Sequence, residues 1–173
     1  HLYSAEIKSV SENVSKPVRT LSVRVMAPNS KLSNHNIVVN IPNVRSPVPL
    51  FVVFRALGFI SDKEIISMCL LDLDKNADLL DYFIPSVHEA GGIMSRNAAM
   101  RYIAVLTKGK TFVHVHHILT DYFLPHVGEM NYVQKAYYLG YMVNRLVRVW
   151  AGIDAPINRD SFKFKRIETS GAL

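Results

Sequence analysis

PVPLFVVFRALGFISDKEI, residues 47–65, is where the character of this chain changes. Pro42, Pro47 and Pro49 crowd one stretch, and no central strand tolerates so many missing amide donors. After Pro49 the pattern is helical. Residues 50–57 read as a short helix that Gly58 is placed to end. SDKE, at 61–64, has the form of a capping box. The Ser61 hydroxyl can accept from the Glu64 amide while the Glu64 side chain reaches back. The helix it opens should run to about Leu71. Arg55 interrupts an otherwise apolar segment. A guanidinium there needs a carboxylate, backbone carbonyls or a route to water along its stem. An internal pair that orients one element against another and a ligand contact both stand, the former being the commoner use of a buried arginine.

Upstream the periodicity is two. SAEIKSV (4–10), RTLSVRVMA (19–27) and the shorter NIVVNI (36–41) alternate as half-buried strands do. Asn- and Ser-rich turn material separates them. A small antiparallel sheet with the first two strands paired is expected. Downstream, residues 77–90 read as a helix that Pro85 should kink or split. Ser95 opens another helix reaching about Thr107, KGK (108–110) turns the chain, and residues 112–124 are helical up to Pro125. The clearest helix covers about 132–151. Val133, Ala136, Gly140, Val143, Val147 and Trp150 mark its inner stripe. Gln134, Tyr138, Tyr141, Arg145 and Arg148 mark the outer one. The fold class is α+β: a small N-terminal antiparallel sheet followed by a bundle of about six helices. One domain is expected over 1–154, β-rich over 1–45 and helical over 49–154, with a basic segment leaving it over 155–173.

The chain has 173 residues, 49% hydrophobic and 20% charged, which suits one well-buried core and excludes a disordered chain. No apolar run is long enough for a membrane span. A single cysteine, Cys69, excludes an internal disulfide and a four-cysteine zinc site. The net charge of +6 is uneven. Residues 51–154 are neutral, and the excess lies on the two flanks. A nearby polyanion and a solvated basic rim explain this equally well.

Catalytic motifs are missing. His114 and His117 in HVHH lie one helical turn apart, but a zinc site needs a third ligand and HEXXH is absent. Cys69 sits in an apolar helix, where a thiol is packing. The acidic group Asp72, Asp74, Asp78 and Asp81 lacks EF-hand spacing. The stronger functional signal is the ending, INRDSFKFKRIETSGAL (157–173). Arg159, Lys163, Lys165 and Arg166 interleave there with Phe162 and Phe164, a pattern suited to phosphate contact.

Five stretches together carry a resemblance: SAEIKSVSE, PVPLFVVFRALGFISDKEI, DYFLPH, KAYYLGYMVNRLVR and NRDSFKFKRIETSGAL. In collinear order, over nearly the whole chain, they resemble the second-largest subunit of multisubunit DNA-directed RNA polymerases of the eukaryotic, archaeal and large-DNA-virus kind. The matching region is the lobe, a mainly helical domain on one side of the DNA cleft. The ending matches the strand that leaves it toward the protrusion and fork, which implies a family chain continuing past both ends of this one. Departures occur at Ile157 and Asn158, where the family has acidic residues, and at Ser161 and Lys163, where it has a histidine and a glycine. They mark a divergent member, viral or cellular.

The resemblance implies a part of a nucleotidyltransferase that itself carries no catalytic residue and no metal. Magnesium and zinc belong to the rest of the polymerase. Implied partners are the largest subunit, a small zinc-ribbon subunit, initiation factors and the DNA template with its downstream duplex, without a membrane. The implied location is the nucleus, or virion and host cytoplasm for a viral enzyme. Arg159, Lys163, Lys165 and Arg166 are the expected nucleic-acid-facing set, with Asp160 orienting one of them. Tyr138, Tyr141 and Arg148 are the expected partner-docking set, since Tyr and Arg are favoured anchors. The rival reading is a protein-interaction module without DNA contact.

Overall fold

The structure is a computed structural model that describes residues 4–9, 19–26, 35–124, 131–155 and 162–163. The sheet forms where period-two alternation was read: β1 Ser4–Ser9, β2 Arg19–Val25 and β3 Ile37–Asn40 pair antiparallel in sequence order. Ala5 faces Val23 across one ladder and Val23 faces Val39 across the next. Leu21, Val23 and Val25 therefore fall on one face, and all three are buried. Two short strands extend this sheet. β4, Val48–Pro49, joins at the β3 edge, where a missing donor is tolerated. β5, Phe162–Lys163, runs parallel to β1 at the opposite edge, so the order is β4-β3-β2-β1-β5.

The helices follow as α1 Leu50–Ala56, α2 Asp62–Leu70, α3 Ile84–Glu89, α4 Arg96–Ala104, α5 Phe112–Asp121 and α6 Tyr132–Trp150. Every residue of α1 is buried, Arg55 included, and the other six are apolar, as befits a helix enclosed on all sides. It packs on β3 and β4 and also touches α2, α3 and α4. Gly58 ends it at φ 104°, a conformation that costs glycine little. Three helices open on a hydroxyl cap. Ser61 accepts from the Glu64 amide at 3.1 Å, Ser95 from Ala98 at 3.0 Å and Thr111 from His114 at 3.1 Å.

The expected 77–90 helix is split. Ala77–Phe83 is a 3₁₀ helix, and α3 begins at Ile84 with Pro85 in its first turn. A proline fits there because its missing N–H would have no helical partner. The Ser86 hydroxyl accepts from the Ile37 amide at 2.9 Å, and Asn36 bonds Glu89. The short α3 is thereby tied to the start of β3. α5 ends at Asp121, three residues short of the expectation. Two carbonyls of its last turn, Leu119 and Thr120, accept from Lys135 Nζ at 2.7 and 2.9 Å. That is how a lysine comes to be fully buried in α6.

α2 and α6 pack together at very short range. A Cβ on Gly140 would stand 2.4 Å from the Met68 carbonyl oxygen. The obstacle is α2 backbone, which cannot rotate aside. Gly140→Ala should therefore force the helices apart. Overpacking of this kind costs about 3 kcal/mol, and the better helix propensity of alanine returns about 1. A net loss of roughly 2 kcal/mol is expected in urea unfolding. An unchanged midpoint would show that the two backbones do not meet.

Candidate docking groove and basic margins

Beside that close contact lies an open groove of about 530 Å³, lined by Lys63, Ser67, Met68, Leu71 and Tyr137 among others. Two of its apolar side chains face solvent: Leu71 is 70% exposed and Tyr137 54%. Tyr141, one turn along α6 from Tyr137, is 43% exposed. The backbone at Leu71 is unusual. Its φ is 68° and ψ −67°, and the Asp72 amide donates to the Leu70 carbonyl at 2.8 Å. This is a γ-turn in its rare, strained form. Asn76 braces it by donating to the carbonyls of Leu70 and Asp72. An exposed leucine in the lining of the groove is thus held in a conformation that costs energy.

The expected docking set needs correcting against this geometry. Tyr138 is buried, only 4% exposed, and burial, with Tyr141 nearby, pushes its hydroxyl pKa well up. The outward stripe was misread because α6 is covered on more than one side, by α2 and by strands β1 and β2. Lys135, Leu139, Met142, Leu146 and Val149 are buried beside the expected inner residues, while Val133 is half exposed. The outward tyrosines are Tyr137 and Tyr141. Arg148 is turned to Asp154, donating through Nε at 2.8 Å and Nη2 at 3.3 Å, with Arg145 at 3.8 Å from the same carboxylate. The hydrogen bond from Arg148 holds the Asp154 carboxyl below its ordinary value. The clasp's contribution is therefore present above the ordinary carboxylate pKa and is lost as pH falls through the lowered one.

Arg55 is fully buried and turned inward. Nε donates to the Ile60 carbonyl at 2.8 Å, Nη1 to Ala90 at 3.2 Å and Ile93 at 3.0 Å, and Nη2 to Asp62 Oδ1 at 2.5 Å. The guanidinium also lies 5.7 Å from the Phe51 ring centre.

Of the expected nucleic-acid set, Lys163 is described only through its backbone, paired with Glu6 in the parallel ladder. Arg159, Asp160, Lys165 and Arg166 lie outside the described residues. The three clustered histidines have separate surroundings. His117 Nδ1 is 3.0 Å from Asp121, His116 Nδ1 is 2.6 Å from the Tyr132 hydroxyl, and the His114 and His117 rings are 6.3 Å apart. Among the described residues no three of His, Cys, Asp and Glu converge as a metal set, and no helix is long and apolar enough to cross a membrane. Cys69 is buried, and burial raises its thiol pKa far above the usual range.

Leu71→Gly tests whether the turn stores strain. Relief of about 1–3 kcal/mol should outweigh the greater chain entropy of glycine, about 0.5–1 kcal/mol, because an exposed side chain loses little packing. Stability to urea should rise by roughly 1 kcal/mol. A fall of that size would instead make Leu71 a structural anchor.

Residues 18–168 match the family described as RNA polymerase Rpb2, domain 2. The chain is 32% identical over 179 residues to "DNA-directed RNA polymerase II subunit RPB2" of Schizosaccharomyces pombe, an alignment covering 99% of this chain and 15% of that protein. It is 33% identical over 184 residues to "DNA-directed RNA polymerase II subunit 2" of Arabidopsis thaliana, covering 100% and 15%. Similarity extends to "DNA-directed RNA polymerase subunit Rpo2" of Sulfolobus acidocaldarius, 29% identical over 157 residues and covering 87% and 14%. The chain thus spans about 15% of the length of the first two of these relatives. With a family match over most of its length, this chain belongs to the RNA polymerase Rpb2 domain 2 family, a fragment of the second-largest-subunit type.

Proposed function

We propose that this chain is the lobe of the second-largest subunit of a DNA-directed RNA polymerase. It forms one wall of the DNA cleft and a docking surface for a small subunit or transcription factors during DNA-templated transcription. The observation that carries this reading is the family match over residues 18–168, together with relatives from fungi, plants and archaea that align with nearly the whole chain. In this reading the chemistry is done elsewhere in the complex, where magnesium and zinc would be held. The largest subunit and a small zinc-ribbon subunit are the proposed neighbours. A nuclear location is proposed by analogy with the polymerase II relatives. Virion and host cytoplasm would replace it for a viral enzyme.

Docking is assigned to the α2–α6 groove, with Leu71, Tyr137 and Tyr141 as its anchors and Arg148 as a further contact, while Tyr138 is buried. Exposed tyrosines beside a groove are what a partner needs for anchorage. The same groove also favours the second reading, a protein-interaction module without DNA contact. DNA contact is assigned to the terminal basic set Arg159, Lys163, Lys165 and Arg166, with Asp160 as an orienting group.

Salt dependence separates the two readings. Each lost phosphate contact lowers the log–log salt slope by about 0.9. Replacing all four basic residues by alanine should therefore remove up to about 3.6 units of slope in binding to a duplex of arbitrary sequence. DNA affinity that is absent from the parent chain, or that is insensitive to salt, would leave the interaction module as the better account.

A further inference from the structure

Charge along the helical body is segregated. Residues 61–89 hold seven carboxylates against two lysines, whereas residues 91–120 hold Arg96, Arg101, Lys108 and Lys110 and no carboxylate at all. The fold adds a further cation to this second stretch from far away in sequence. The Arg45 amide donates to the Leu106 carbonyl at 2.9 Å, and its Nη2 donates to the Val105 carbonyl at 2.7 Å. Arg45 therefore closes the C-terminal end of α4, where a cation is favoured by the helix dipole. Arg101 stands one turn before Val105 on α4. Lys108 and Lys110 follow on the turn into α5, and all four cations are exposed.

The turn that carries the lysines is firmly built. The Thr107 hydroxyl donates to the Ala104 carbonyl at 2.7 Å and accepts from the Lys110 amide at 3.1 Å. Gly109 lies so close under the His114 ring that a Cβ there would be 2.6 Å from Cγ. Lys110 is held at φ 53°, which L residues adopt at a cost. Among the described residues none of Arg45, Arg101, Lys108 and Lys110 has an ion pair. Like charges gathered on one edge without carboxylates repel one another and focus a positive potential outward.

From this juxtaposition we infer that the α4–α5 edge, formed by Arg45, Arg101, Lys108 and Lys110, is a binding site for the phosphate backbone of duplex DNA, separate from the terminal basic set. The choice of DNA as the polyanion rests on the transcriptional reading above. The competing occupant is an acidic protein segment, which the exposed Phe112 and Val113 at the start of α5 could help to seat. The contacts would be independent of sequence, since Lys and Arg reaching phosphates position a duplex without reading it. The acidic flank over 61–89 would repel the same duplex, so DNA would be accepted along one side of the domain only.

The test uses the 173-residue chain and a short duplex of arbitrary sequence, followed by fluorescence anisotropy across a salt series. Arg45 is left in place because it bonds the backbone. The triple variant Arg101→Ala, Lys108→Ala and Lys110→Ala should keep the parent circular dichroism and melting temperature. Its log–log salt slope should fall by up to about 2.7 units. Poly-glutamate of equal charge should compete poorly against the duplex. An unchanged slope in the triple variant overturns this site. If the slope then falls only when Arg159, Lys163, Lys165 and Arg166 are replaced, the cleft-wall reading survives without it. Equal competition by poly-glutamate also overturns the assignment, in favour of an acidic protein segment.

Discussion

One guanidinium organises the helical half of this domain. Arg55 projects from the fully buried α1 and reaches three other places: the residues that lead into α2, the first turn of α2 and the turn between α3 and α4. Burying a charge costs several kcal/mol unless its hydrogen bonds are satisfied. Here three carbonyls and one carboxylate accept from it, so the cost is offset only in a single arrangement of the helices. The carboxylate partner, Asp62, is itself 41% exposed, so one end of the network remains open to water. We propose that Arg55 acts less by its net energy than by excluding other packings.

Both surfaces with functional promise hang from that arrangement. α2 leads to the strained turn at Leu71 and packs closely on α6 at Gly140, beside the groove the two helices share. The α3–α4 turn leads into α4, whose C-terminal end carries the uncompensated cations. The groove sets Met68, Leu71 and Tyr137 among Lys63, Glu64 and two serines, and the edge is cationic and polar. They lie on different elements, and so a protein and a polyanion could be held at once without competing.

Local chemistry was legible in the sequence. The first three strands, the turn to helix after Pro49 and the caps at Ser61 and Ser95 are each decided by neighbours within a few residues. The family was legible too, because the resembling stretches are long and in order. Contacts made across the fold were not. Position 138 looked outward on a single-stripe reading of α6, whereas burial by α2 on one flank and the sheet on another leaves only a narrow exposed arc. Lys135 gave no warning of burial, since its acceptors are the ends of a different helix. The γ-turn at Leu71 lacks the glycine or asparagine that usually announces positive φ. The cationic edge was hidden because Arg45 is some sixty residues from the carbonyls it closes, although the lack of carboxylates over 91–120 could have drawn attention to it.

Amide hydrogen exchange on the parent chain and on Arg55→Met would test this account most directly. If Arg55 couples the helices, protection should fall together in α1, in the first turns of α2 and in α4, while β2 and β3 keep theirs. Protection lost only within a few residues of position 55, with α2 and α4 unchanged, would contradict it.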